Sequence, residues 1–546
     1  MATYYFRSTG TNWGTAGDWS STASPTYTAG AVPLVTDDVV FEAASASCIV
    51  NASARVCKSI NFTLYTNTIT MTFGITVSGN VTLGAGMTIL GTGTLALLAT
   101  CTLTSNGKTW PNTLQIGGLV AGFNATFADN WRVKNLTNTG NSATLLNNTI
   151  YVEGDVSSIG LRGGDTTDIV FDGTGDQTLT STVTGFAFEC SITINKPSGK
   201  FTLGTTFVWR PKSGKTFKYI TAGSYSTTGS TFYIYGGGTS GGVLDISGIN
   251  LNDIRFNDSG GTINMTLASN VNVDGSLTVQ GNGINLTGAY KILVKGNCLQ
   301  NSGLFGNSGT FAGVELTGSN NQTLMLGGSG LSFPLATNLI INKSGGVVTL
   351  GSTSTSTLFF GSTTATLTFT NGTIDPRSTT FSTIAGTTYN ITNSVGFSLN
   401  NWSPAVGTHT INTNPLVVNS SLTLAGATTF AGTSGWDCNN LICTTAGTFF
   451  ITLQQAVTYR TRTGVSITGG TFANRVTMRS SLGGTDAIWT LDFGATQSLI
   501  YVNGTDIDSS GGQTIWSFGV SPANVSTSIN WNPGVPLRTV VHTFVN

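Results

Sequence analysis

The sequence predicts an all-β fold, a right-handed parallel β-helix capped at both ends. Three observations lead there. Charged residues are only 8% of the 546, and Gly reaches 71, against about 25% and 7% in ordinary globular proteins. The remaining polar residues are mostly Thr, Ser and Asn, which suit strands and turns and disfavour helix interiors. No stretch of a dozen residues spaces its apolar positions for a helix. Finally, a pair of apolar residues flanking one other residue recurs along the chain, followed after a short gap by a second such pair.

Two copies of this unit are nearly identical, ITINKPSGKFTLG from Ile192 and LIINKSGGVVTLG from Leu339. The pairs are Ile60/Phe62 with Ile69/Met71, Leu114/Ile116 with Phe123/Ala125, Ile192/Ile194 with Phe201/Leu203, Ile254/Phe256 with Ile263/Met265, Leu339/Ile341 with Val348/Leu350, and Leu441/Cys443 with Ile451/Leu453. Period-two alternation places both members of a pair on one strand face. The gaps hold Gly, Asn, Ser or Pro, which turn a chain. A third pair often follows: Ile75/Val77, Phe207/Trp209, Val271/Val273 and Val457/Tyr459. Strand, corner, strand, corner, strand makes one coil of a solenoid. Irregular intervals exclude the short strict repeats of hexapeptide and calcium-binding solenoids. A propeller or a row of β-sandwiches is the alternative. Right-handedness follows from the general preference of strand connections.

Residues 46–515 carry this rhythm. Residues 1–45 read as an N-terminal cap and attachment segment, rich in aromatics and turns (Tyr4, Tyr5, Phe6, Trp13, Trp19, Pro25, Pro33). Their aromatics exceed what a small cap would bury, so part of the segment is expected to contact a partner. Residues 516–546 read as a C-terminal cap, because Pro533 and Pro536 break the rhythm.

Other features exclude more than they assign. The 23 cations balance 23 anions, so no basic surface is expected to hold nucleic acid. The densest basic run, WRPKSGKTFK with Arg210, Lys212, Lys215 and Lys218, reads as a solvated turn, or else as a contact for an anionic glycan. The start lacks the pattern of a signal peptide, and no apolar run is long enough for membrane insertion. Seven scattered cysteines read as buried, unpaired thiols of a protein made in a reducing compartment. Neither His409 nor His542 sits in a catalytic motif, and no cofactor site is expected. TATLTFT invites an ice-binding reading, which irregular coils argue against.

One cluster suggests chemistry. YVEGDVSSIGLRGGDTTDIVFDGTGD brings Glu153, Asp155, Asp165, Asp168, Asp172 and Asp176 together, six of the 23 acids. Paired acids on a β-helix face can cleave polysaccharides. The repeat offers an internal comparison: TGDQTL matches SNNQTL, so Asp176 corresponds to Asn321 and Asp172 to Thr317. Asp and Asn serve turns alike. The acids therefore read as turn residues, as a calcium or other cation site, or as a glycan-cleaving pair.

The segment NWGTAGDWSSTASPTYTAGAVPLVTDDVVF, followed by KSINF, resembles the opening of parallel β-helix proteins of phage virions, tail fibres and spikes among them, and of bacterial surfaces. VTYRTRTGVSITGG and the coils after it, to INW, resemble the terminal coils of that group. Together they span about a third of the chain, and the motifs are shared by proteins with different tasks. The resemblance, with the missing export signal, implies a non-enzymatic structural virion protein of a phage: a fibre, spike or surface-decorating rod. It would be assembled in host cytoplasm and released by lysis. Its partners would be other virion proteins, reached through the N-terminal segment, and host-surface glycans, with a homo-oligomer, a trimer by analogy. A phage depolymerase acting through Asp168, Asp172, Asp176, Glu153 and Asp155 is one alternative. A bacterial surface adhesin is the other.

Overall fold

A computed structural model describes residues 2–51, 55–117, 124–139, 143–158, 161–163, 167–181, 188–220, 223–236, 240–258, 262–280, 283–300, 304–307, 310–326, 334–335, 338–351, 357–360, 366–383, 387–394, 396–520, 525 and 527–534. The chain divides into two units, Met1–Asn272 and Val273–Asn546. Each is a parallel β-solenoid of short strands. Among the described residues the one helical segment is the 3-10 turn Ala16–Asp18, and the one antiparallel strand pair joins Thr3–Phe6 to Trp19–Ser20. Parallel stacking removes the propeller and sandwich alternatives, which are built from antiparallel strands.

In the first unit each strand lies beside the strand one coil later. Ile75 neighbours Leu95, which neighbours Leu114. Further on, Ile169 neighbours Ile192, and Ile192 neighbours Phe217. Alternation does the rest: the pairs Ile60/Phe62, Ile69/Met71, Ile192/Ile194, Phe201/Leu203, Ile254/Phe256 and Ile263/Met265 all point into the interior. The Leu114/Ile116 pair and Ala125 are also buried, while Phe123 lies outside the described residues.

The second unit repeats the scheme. Leu339–Leu350 is one strand bent at Asn342–Val347, where its register with Thr366–Asp375 shifts. The corner between its two apolar pairs is thus a kink in a continuous strand. Leu339, Ile341, Val348 and Leu350 are buried, as are Leu441, Cys443, Ile451 and Leu453. Coils differ in length: hydrogen bonds to the next coil span 19 residues from Gln177 to Lys196 and 29 from Leu350 to Thr379.

The amino-terminal segment is built into the solenoid. Thr3–Phe6 lies parallel to Asp38–Val40. The Trp13 amide donates to the Ile49 carbonyl, the Ile49 amide to the Thr11 carbonyl, and the Lys58 amide to the Asp37 carbonyl. These bonds cover edges of the first coil that would otherwise template foreign strands. Phe6, Trp13 and Trp19 are fully buried and pack with Phe41, Phe62 and Tyr65 at ring separations from 4.6 to 5.9 Å. For Phe6, Trp13 and Trp19 the premise that these aromatics exceed what can be buried is corrected, because the first coils supply the rest of their core, while Tyr4 and Tyr5 are half-buried. What the segment exposes instead is Leu34 (63%) and Val35 (47%).

At the other end the coil rhythm outlasts residue 515. Ile515–Phe518 pairs in parallel with Trp531–Gly534, placing Pro533 beside Ser517. Pro536 and the rest of the expected cap, 535–546, lie outside the described residues.

Candidate functional site

The acid cluster falls on two successive coils. Glu153 and Asp155 flank the corner after the strand Thr149–Val152, while Asp172 and Asp176 flank the corner after Asp168–Phe171. Arg132, on an earlier coil, donates from Nη1 to Asp172 Oδ1 (3.0 Å) and from Nη2 to Oδ2 (2.6 Å). The same guanidinium lies 3.6 Å from Glu153 and over the Tyr151 ring at 5.0 Å. Hydrogen bonding to Asp172 raises the Arg132 pKa further above its ordinary value. Both Asp172 oxygens are held by this fork, a cross-coil ion pair.

Asp155 and Asp176 act as turn residues. Asp155 Oδ1 accepts the Thr178 amide at 2.7 Å, and Asp176 Oδ1 accepts the Lys200 amide at 2.9 Å. In the second unit Asn297 accepts from Thr323 at 2.8 Å and Asn321 from Val347 at 3.0 Å. An asparagine thus performs the task of each aspartate at the matching corner. Asp168 lies 4.0 Å from Lys215, and Asp165 lies outside the described residues. Asp176→Asn is expected to shift stability by less than about 0.5 kcal/mol, whereas Asp176→Ala, which loses the acceptor, costs about 1 kcal/mol. Denaturant melts of the two variants check this.

Beneath these corners lies a polar feature that the sequence reading missed. Lys196, 1% exposed, donates to the carbonyls of Gly173 (2.8 Å) and Gly175 (2.7 Å) and to Gln177 Oε1 (2.7 Å). Gln177 Nε2 donates in turn to the Val152 and Gly154 carbonyls, both at 2.8 Å. Three coils are clipped together by two side chains. The second unit repeats the device. Lys343 binds the Asn320 carbonyl and Gln322 Oε1, and Gln322 binds the carbonyls of Val294 (2.9 Å) and Gly296 (2.6 Å). Burial lowers the pKa of both lysines. The near-identity of the stretches from Ile192 and from Leu339 is explained by this corner. Both place a lysine after the first apolar pair and a glycine of positive φ, Gly199 or Gly346, before the second. The available signal was a Lys and a Gln at matching positions of an otherwise apolar repeat.

The basic run is engaged in ion pairs. Arg210 and Lys212 both reach Glu189, at 3.4 and 2.8 Å, and Lys218 reaches Asp245 at 3.5 Å. Lys215 is buried at 4% exposure, facing Asp168. Residues 212–214 do form an exposed turn between the strands Thr206–Trp209 and Lys215–Tyr219, but the cations around it are paired between coils and Lys215 is buried.

The seven cysteines are buried and unbridged, and burial pushes their thiols up, Cys101, Cys190, Cys298 and Cys438 to about 12. Such thiols are unreactive. Phe171 and Phe188 belong to the core, while Phe186 lies outside the described residues. Among the described residues no three His, Cys, Asp or Glu side chains converge to hold a metal ion, and no helix is long and apolar enough to cross a membrane.

His409 is fully buried among Tyr389, Trp402 and Phe430. Its Nε2 donates to the Ala405 carbonyl at 3.0 Å, and its Nδ1 has no partner. Burial lowers its pKa to about 4 from 6.5. Between those values the unfolded chain binds a proton that the folded chain refuses, so stability falls as the pH drops through that window. The loss totals about 3 kcal/mol. Comparing denaturation midpoints of wild type and His409→Phe from pH 7 to 4 isolates it, because the variant lacks this component of the slope. His542 lies outside the described residues. No protein-family model, curated protein or solved structure matches this chain.

Proposed function

We propose that this protein is a non-enzymatic structural component of a phage virion, a fibre, spike or decorating protein whose coil surfaces serve host-glycan adhesion or packing within the particle. The observation that carries this reading is the fate of the acid cluster. Asp172 is held by Arg132, Asp155 and Asp176 brace turns, and asparagines replace the latter two in the second unit. Those roles are structural. The outward strand faces support it too: they carry cross-coil rows of hydroxyls and amides, such as Thr410 beside Asn390 and Thr429 beside Thr408. Such rows offer hydrogen bonds to sugars without requiring charge. Buried, unbridged thiols fit synthesis in a reducing cytoplasm. Leu34 and Val35, exposed on the amino-terminal segment, supply an apolar surface for attachment to other virion proteins or to further copies of the chain.

The test combines location and turnover. Purified phage particles from the host lysate are probed with antibody to this chain, and the isolated protein is incubated with host envelope polysaccharide. Antibody labelling of particles without release of reducing ends is expected. Turnover abolished by Asp168→Asn or Asp172→Asn would replace this reading with a depolymerase.

A further inference from the structure

In the second unit three parallel strands, Phe449–Leu453, Val476–Ser480 and Val502–Thr505, lie side by side. Their outward row places Thr477 between Phe450 and Asn503. Alternation puts Arg479 on the Thr477 face, and Arg475 immediately precedes the strand, two residues before Thr477. The Arg479 guanidinium sits over the Phe450 ring at 3.8 Å and donates from Nε to Thr452 Oγ1 at 3.2 Å. Arg475 sits over Phe472 at 3.9 Å and donates from Nε to the Phe472 carbonyl.

These two arginines differ from the other described arginines of the unit. Arg377, Arg460 and Arg462 each face a carboxylate, namely Asp375, Asp492 and Asp437. Arg475 and Arg479 form no ion pair among the described residues. Each is braced by a ring and anchored through Nε, which leaves the two Nη groups to present a fork of donors. Between them Asn503 donates to Thr477 Oγ1 at 3.4 Å, while its buried Oδ1 has no partner. Phe450 (44%) and Phe472 (57%) remain substantially exposed.

We infer that this face is a binding site for an acidic glycan, a chain bearing carboxylate groups. This rests on the proposed adhesive function and names the ligand class and the residues. A fork of Nη donors matches a carboxylate in two parallel hydrogen bonds. The Thr477 hydroxyl suits a sugar hydroxyl, and exposed rings suit the apolar faces of sugars. Four residues separate the arginines, at most about 13 Å at Cα for extended chain. Two carboxylates of one polymer can span that distance, and one small anion cannot. Two cations in a chain of zero net charge make a weak nucleic-acid surface, which needs many phosphate contacts.

Affinity electrophoresis of the full chain through gels containing polygalacturonate, dextran or single-stranded DNA tests the site. Retardation by polygalacturonate alone is expected. Arg475→Gln and Arg479→Gln should each weaken it about tenfold or more, the size expected for a lost charge-assisted pair, with unchanged melting temperature. Retardation by dextran that survives both substitutions overturns the acidic site while leaving glycan adhesion standing. Equal retardation by DNA, lost in the same variants, overturns it in favour of a general polyanion surface. No retardation by polygalacturonate, or retardation indifferent to both arginines, also overturns it.

Discussion

A chain lacking residues 2–37 is expected to aggregate, with its first coils unfolded. The segment supplies Phe6, Trp13 and Trp19 to an interior shared with Phe41, Phe62 and Tyr65. Truncating one buried aromatic costs about 3–5 kcal/mol, so losing three approaches or exceeds the 5–15 kcal/mol that holds a typical domain together. The deletion also uncovers strand edges at Asp38–Val40 and Ile49, where other chains can pair. In a solenoid each coil leans mainly on its neighbours, so damage should begin at the amino end. Trp19→Ala is the milder version. It removes one ring and the hydrogen bond from its indole N–H to the Trp13 carbonyl at 2.7 Å. Hydrogen exchange across residues 38–71 should accelerate in Trp19→Ala before exchange elsewhere in the first unit changes. A soluble, monodisperse deletion variant with the wild-type melting temperature would make the segment an appendage.

How much of this was legible depended on where the determining partner lay. The strand pairs were readable because alternation is local: Ile192/Ile194 and Phe201/Leu203 announce an inward face within a few residues. His409 was readable as a strand residue for the same reason, from its place in GTHTIN. The ion pairs were not. Lys212 and Glu189 meet only because one coil stacks on the next, and coil length is irregular, so the charged neighbours in the sequence gave the wrong surroundings. The same holds for Arg132 and Asp172, which are brought together across two coils. Position in the stack also decided the fate of the cap aromatics. Trp13 and Trp19 look surplus beside their own short segment, yet the first coils provide the other half of their core. In the acid cluster the internal comparison with Asn321 was the informative signal, because it asked what a corner needs and found an acceptor rather than a charge.

Lys196→Met is expected to destabilise the first unit by about 3–6 kcal/mol, although it replaces a buried charge with an apolar side chain of similar length. A solenoid corner turns backbone carbonyls away from the strand ladder, and buried carbonyls need donors. The Lys196 ammonium serves Gly173, Gly175 and Gln177 together. The methionine strands all three acceptors, each at about 1–3 kcal/mol, with some relief because the cost of burying the ammonium disappears. Gln177→Leu strands the Val152 and Gly154 carbonyls and one partner of Lys196. Since both substitutions break the link between Gln177 and Lys196, the double variant should lose less than the sum of the single losses, by about 1 kcal/mol or more. Burial lowers the Lys196 pKa, so between the folded and the ordinary value the unfolded chain holds the extra proton. Stability from this group therefore rises with pH across that window, and Lys196→Met should flatten the rise. Lys343→Met in the second unit provides the replicate, because Lys343 binds Asn320 and Gln322 in the same way. Denaturant midpoints, with hydrogen exchange at residues 173–177 and 320–322, measure both. Additive losses in the double variant, or a Lys196→Met chain as stable as wild type, would show that water satisfies these carbonyls and that the repeated lysine is not what clips the coils.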